Sequence, residues 1–147
     1  MTKVAVVQAA AVPFNPQKTV DKAASIIKRL AKSGVKLAVF PEAFLGGYPK
    51  GSCFGSVVGN RSASGRALYQ KYVDSTIQLH GAELKRLKKI AHKHHMIIVM
   101  GMIEKLQRTL YCTSIILRPD KTKIAIHRKL MPTGLERLIW GFGDGST

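Results

Sequence analysis

Residues 19–40 read TVDKAASIIKRLAKSGVKLAVF, and this stretch decides the fold class. Its first part places apolar residues at Val20, Ala23, Ala24, Ile27 and Leu30, with Lys22, Lys28 and Arg29 on the other side. That helical spacing predicts an amphipathic helix over residues 19–31. Ser33-Gly34 follows as a stop signal, because glycine takes the left-handed conformation that closes many helices. Residues 35–40, VKLAVF, are a short apolar run and read as a buried strand. Upstream, residues 3–9 (KVAVVQA) have the same character, and Asn15-Pro16 punctuates the chain between that run and the helix. Strand, helix, strand at this spacing is a βαβ unit, so the two strands are expected to be parallel with a right-handed crossover.

Downstream, residues 41–64 are rich in Gly, Pro and Ser and read as one long loop, of a length that in compact domains is usually functional. Helices are expected over residues 66–79 and 83–94, the second with Leu84, Leu87, Ile90 and Ala91 on one face. Strands are expected over residues 96–102, 110–117 and 123–127, with a turn at Pro119-Asp120-Lys121. From Arg128 onward the chain reads as turn and loop, ending on Gly141-Phe142-Gly143-Asp144-Gly145. The result is an α/β domain with helices covering a mostly buried sheet.

Bulk properties narrow the function classes. The 147 residues suit one domain, and 46% hydrophobic residues exclude disorder by composition. No run of about 18 apolar residues is present, so no membrane span is expected. The first residues are too strand-like for a secretory signal, which makes the expected location cytoplasmic. Cys53 and Cys112 are too few for a disulfide framework and read as free thiols. The net charge of +16 raises the question of nucleic acid, and Lys85, Arg86, Lys88, Lys89 and Lys93 form a basic stripe. No aromatic platform interleaves with that stripe, so a dedicated nucleic-acid function is set aside. His92, His94 and His95 point to different sides of a helix without an accompanying Cys or carboxylate, so they read as a solvated helix end and not a metal site.

Two segments carry candidate chemistry. Phe40-Pro41-Glu42 sets a carboxylate just beyond a buried strand, where ligand sites of open α/β sheets gather. Partial desolvation there suits a general base, although a helix-cap neighbour or a plain loop charge has the same pattern. His127-Arg128-Lys129 reads first as a solvated basic patch. Lys129 is followed by Leu-Met-Pro, however, and a half-buried lysine needs an acidic partner, for which Glu42 and Glu136 are the candidates.

The strings VFPEAFLGGYP from Val39, GNRSASGR, LYCT, HRKLMPTGLER and WGFGDGST, in this order, resemble the nitrilase branch of the carbon–nitrogen hydrolases over nearly the entire chain. The resemblance implies the N-terminal part of an α-β-β-α sandwich, with residues 1–147 an incomplete domain. It implies Glu42 as general base, Lys129 as the stabiliser of developing charge and Glu136 as a positioning carboxylate. The family's nucleophilic cysteine lies in a later motif of roughly C-W-E-N form, which this sequence lacks. Cys53 is read as a variable loop position and Cys112 as a structural thiol, so no nucleophile is assigned.

The implied reaction is hydrolysis of a small-molecule nitrile to the carboxylic acid and ammonia, without metal or organic cofactor, in a homo-oligomer (dimer or spiral). The chain alone is expected to expose an apolar sheet face and to be inactive. Cyanide hydratase and amidase of the same superfamily are the alternatives within the enzymes; a non-catalytic basic binding module is the alternative outside them. His80-Gly81-Ala82-Glu83 departs from the family's usual P-G-P-E-like turn, and Glu104-Lys105-Leu106-Gln107-Arg108 departs from its acidic or Gly-rich hairpin.

Overall fold

The computed structural model of the chain describes residues 1–49, 51–57 and 60–146. Lys50, Val58, Gly59 and Thr147, which belong to or adjoin the strings quoted above, lie outside the described residues. β1 (Val4–Val6), α1 (Pro16–Lys32) and β2 (Leu37–Val39) make the expected βαβ unit, and the two strands pair in parallel with Val4 opposite Leu37. α1 starts earlier than its apolar spacing predicts. The Asn15 side chain accepts the Lys18 amide at 2.9 Å and Pro16 fills the first turn, so the pair read as punctuation is the helix start itself.

The long loop is not structureless. β3 (Ser56–Val57) and β4 (Asn60–Arg61) pair as a short antiparallel ribbon, and Ser62 then caps α2 (Ala63–Asp74) by accepting the Gly65 amide. α2 stops before residue 79 because Ile77 is drawn into the sheet. Its N–H donates to the Ile103 carbonyl at 2.9 Å, and its carbonyl accepts the Lys105 N–H at 2.8 Å. α3 (Ala82–His94) closes on His95 in the left-handed conformation, with φ of 48°. β5 (Ile97–Leu106) runs four residues past the expected end and pairs antiparallel with β6 (Thr109–Leu117), which pairs with β7 (Ala125–Arg128). The extension carries Glu104 into the strand, so it is not part of the hairpin turn to which its sequence neighbours assign it.

The sheet has the order β1-β2-β5-β6-β7 and is parallel on one side, antiparallel on the other. Strand alternation divides its side chains between two faces. Ala38, Ile98, Met100, Met102, Ile115 and Leu117 meet Val20, Ala23 and Ile27 of α1 and Leu84, Leu87 and Ala91 of α3 in one buried core. Removing a large side chain from such a core costs about 2–5 kcal/mol. On the other face, Val4, Val6 and Ile116 remain exposed, Val6 to 85%. Toward the β5–β6 hairpin that same face is covered by a second cluster of Tyr72, Ile103, Leu110, Cys112, Ile139 and Trp140. The described residues therefore place α1 and α3 on one face of the five-stranded sheet and leave its other, apolar face partly open. Among them, no helix is long and apolar enough to cross a membrane.

Candidate active site

Glu42 stands at the carboxyl end of β2, in a turn still stitched to β5. The Phe40 N–H donates to Val99, the Gly101 N–H to Pro41 at 3.1 Å and the Leu45 N–H back to Gly101 at 3.1 Å. The turn crosses the sheet directly over Gly101. A Cβ at that position would lie 2.5 Å from the Ala43 nitrogen and 2.6 Å from the Glu42 Cα, so only glycine permits the approach. Ala43 has φ of 52°, a conformation disfavoured for residues with a Cβ and sustained here by the flanking bonds.

Lys129 follows the last residue of β7. Its N–H donates to the Cys112 carbonyl at 2.8 Å, and its own carbonyl accepts the Gly143 N–H at 2.9 Å. Glu136 lies in a 3-10 turn, Gly134–Leu138, within the segment read from sequence as plain loop. The Thr133 N–H donates to its Oε2 at 2.8 Å, the reach-back contact of a capping glutamate, and the Tyr48 hydroxyl donates to its Oε1 at 2.6 Å.

The three residues meet. Lys129 Nζ is 2.9 Å from Glu42 Oε1 and 2.9 Å from Glu136 Oε2. Side-chain exposure grades across the cluster: 6% at Glu136, 28% at Lys129 and 51% at Glu42. Burial on its own would push the Glu136 carboxyl up, but hydrogen bonds from Tyr48, the Thr133 amide and Lys129 hold it down at about 2. For Lys129, burial disfavours the charge, yet hydrogen bonds to Glu136 and Glu42 leave its pKa above the usual lysine value. Glu136 is an ionised, fully engaged acceptor. Glu42 is the carboxylate with room for a reacting partner.

Arg128 points the other way. Alternation sends it to the helix-covered face, where its guanidinium makes a two-bond contact with buried Glu104: Nε to Oε2 at 2.8 Å and an Nη to Oε1 at 2.6 Å. The Thr113 hydroxyl adds a third bond to Glu104 at 2.7 Å, and the guanidinium also covers the Tyr111 ring. Arg128 thus belongs to a buried pair and not to a solvated basic patch.

The two cysteines are both free. Cys53 is exposed, while Cys112 is buried with its Sγ 3.5 Å from Glu42 Oε1. Burial, with the neighbouring Glu42 charge and hydrogen bond, pushes the Cys112 thiol up to about 12. A thiol that stays protonated at neutral pH is a poor nucleophile. Among the described residues no group of three or more His, Cys, Asp and Glu side chains is placed to hold a metal ion. His92 is engaged instead, with Nδ1 3.0 Å from the Pro119 carbonyl.

A cavity of about 490 Å³ opens beside Glu42, walled by Ala10, Phe14, Phe54, Leu68 and Tyr72, with Tyr48 at its rim. Among the described residues, Glu42 is the one acidic or basic side chain lining it.

A family description for carbon–nitrogen hydrolases matches residues 3–147. The chain belongs to the carbon–nitrogen hydrolase family. Its sequence is 48% identical over 142 residues to a bifunctional nitrilase/nitrile hydratase of Nicotiana tabacum, covering 97% of this chain and 41% of that protein. It is 48% identical over 145 residues to a nitrilase of Bradyrhizobium diazoefficiens, covering 99% and 45%, and 47% identical over 149 residues to an aliphatic nitrilase of Sinorhizobium fredii, covering 100% and 48%. This carbon–nitrogen hydrolase chain therefore spans less than half the length of these relatives. Among solved structures, an amidase from Nesterenkonia sp. superposes with a TM-score of 0.68 at 21% identity, over 97% of this chain and 48% of the amidase, a likeness of fold.

Sequence reasoning brought Glu42, Lys129 and Glu136 forward, and the fold places all three within one hydrogen-bonded cluster. It missed Tyr48, the Glu104–Arg128 pair and the Cys112 contact with Glu42. One signal was present for Glu104: it shares the period-two phase of Ile98, Met100 and Met102, so an acid there had to be paired inside the core.

Proposed function

We propose that these residues form the base and charge-stabilising part of a nitrilase-type centre, in a longer protein whose attacking thiol is not among the 147 residues. The single observation that carries this reading is the Lys129 ammonium held 2.9 Å from both Glu42 and Glu136. Glu42 takes the proton of the attacking thiol, and the thiolate sulfur bonds to the nitrile carbon. The electron pair moves to the nitrile nitrogen, where Lys129 stabilises the charge and protonation gives a thioimidate. Water adds, ammonia leaves and a thioester remains. A second water hydrolyses it to the carboxylic acid and regenerates the thiol. Glu136 keeps Lys129 charged and aimed. The cavity beside Glu42 favours a nitrile bearing an uncharged, apolar group, since Ala10, Phe14, Phe54 and Leu68 line it and the Glu42 carboxylate repels a negatively charged one. A homo-oligomer in the cytoplasm accompanies this reading.

The test is ammonia and amide release by the full-length protein from phenylacetonitrile and from cyanoacetate. The expected result is faster turnover of phenylacetonitrile, with Glu42→Gln inactive. Absence of turnover of either nitrile, or full activity of Glu42→Gln, overturns the proposal. The isolated 147-residue chain is expected to release no ammonia.

A further inference from the structure

We infer that Cys112 is a positioning residue for Glu42: its thiol and Lys129 together occupy Oε1, which leaves Oε2 to take the proton. The inference rests on the reading of Glu42 as the base. Three contacts carry it. The Cys112 S–H donates to Glu42 Oε1 at 3.5 Å. Lys129 Nζ donates to the same oxygen at 2.9 Å. The Cys112 carbonyl accepts the Lys129 N–H at 2.8 Å, so one residue of β6 holds both the carboxylate and the backbone of the lysine that pairs with it.

The fold makes this placement firm. Cys112 is opposite Ile103 in the β5–β6 ladder and packs with Ala43, Tyr72 and Trp140, so its Sγ has little freedom to leave Glu42. Ala43, the residue after Glu42, is part of that same cluster. A thiol suits the task for a chemical reason. It is small enough to sit among the apolar side chains of that cluster and still carries one donor for the carboxylate, as a hydroxyl of similar volume would. Glu136, by comparison, accepts from Tyr48, Thr133 and Lys129 at once, and its carboxylate is held ionised. Because the Cys112 thiol stays protonated, the donor persists over the pH range in which a carboxylate base works.

The experiment compares Cys112→Ala and Cys112→Ser in the full-length protein, with Glu42→Gln as a second probe. The infrared S–H stretch of Cys112 is isolated as the difference between the unsubstituted protein and Cys112→Ala. It is expected at the low wavenumber of a hydrogen-bonded thiol and should move up in Glu42→Gln, because an amide oxygen is a weaker acceptor than a carboxylate. Cys112→Ala is expected to lower kcat about tenfold with little change in KM, the size of one lost hydrogen bond. Cys112→Ser, which keeps a donor in a similar volume, should restore most of that loss. A stretch at the free-thiol position, or one that ignores Glu42→Gln, overturns the inference. Equal kinetics for the Ala and Ser variants overturn it as well, since packing alone would treat them alike. If neither nitrile is turned over, the proposed chemistry falls while the infrared measurement still decides the position of the thiol.

Discussion

Arg128 and Lys129 are adjacent in sequence and each meets a carboxylate, yet they belong to two different sites. Arg128 faces the helical core and is locked to Glu104, a side chain 1% exposed, through two hydrogen bonds with Thr113 adding a third. Lys129 faces the open side of the sheet and stands between two carboxylates, one nearly buried and one half exposed. The first arrangement engages both oxygens of Glu104 and leaves that carboxylate no room for a substrate. The second concentrates charge around a lysine while Glu42 keeps contact with solvent and with the adjoining cavity. The difference teaches that cation–carboxylate pairing does not mark function by itself. A candidate site is marked by incomplete saturation next to a space that a substrate can enter.

The comparison can be broken most strongly on its buried side. Removing one member with Arg128→Met leaves Glu104 as an unpaired buried charge, and is expected to lower unfolding free energy by about 3–5 kcal/mol in urea titrations. The double replacement Glu104→Leu with Arg128→Met should recover most of that loss. A double variant as unstable as the single one would mean that the pair itself contributes large net stability. On the open side, Lys129→Met in the full-length protein should cost about 10³-fold in kcat and only about 1–2 kcal/mol in stability, because Tyr48 and Thr133 still donate to Glu136. A collapse of stability instead would make Lys129 a structural lysine like its neighbour.

Two smaller effects sharpen the contrast. The Glu136 carboxyl is held at about 2, below the ordinary carboxylate value of 4.5. A depressed carboxyl contributes stability that is fully present above about pH 4.5 and is lost as the pH falls toward 2, by about 3 kcal/mol in total. Urea midpoints measured from pH 6 to pH 2 should show that decline, and Glu136→Gln should flatten it. The smallest expected effect belongs to Tyr48→Phe, which removes the 2.6 Å hydroxyl donor to Glu136. It should lower stability by about 1 kcal/mol and narrow the acid-sensitive range seen in the same titration.

Legibility from sequence followed the range of the interactions involved. The first βαβ unit and the body of α3 were readable because helical and strand periodicity are local properties. The start of α1 was written in Asn15-Pro16, but the pair has two meanings, punctuation or cap, and only the Lys18 contact selects one. The end of α2 was not readable at all. Ile77 leaves the helix to pair with Ile103 and Lys105, residues far along the chain, and no helical propensity encodes that partner. The same holds for Tyr48, whose hydroxyl finds Glu136 across 88 residues.

By itself, the sequence determined the α/β class and the order of the main elements, because periodicity is carried by neighbouring residues, and its resemblance to the carbon–nitrogen hydrolases pointed to the three polar residues of the candidate site. Tertiary structure alone decided that Arg128 and Lys129 part company across the sheet, that Glu104 is core and not turn, and that Cys112 touches Glu42. The physical reason is strand pairing. Register brings residues from β5, β6 and β7 into contact, and alternation assigns each to a face; both depend on where distant strands lie.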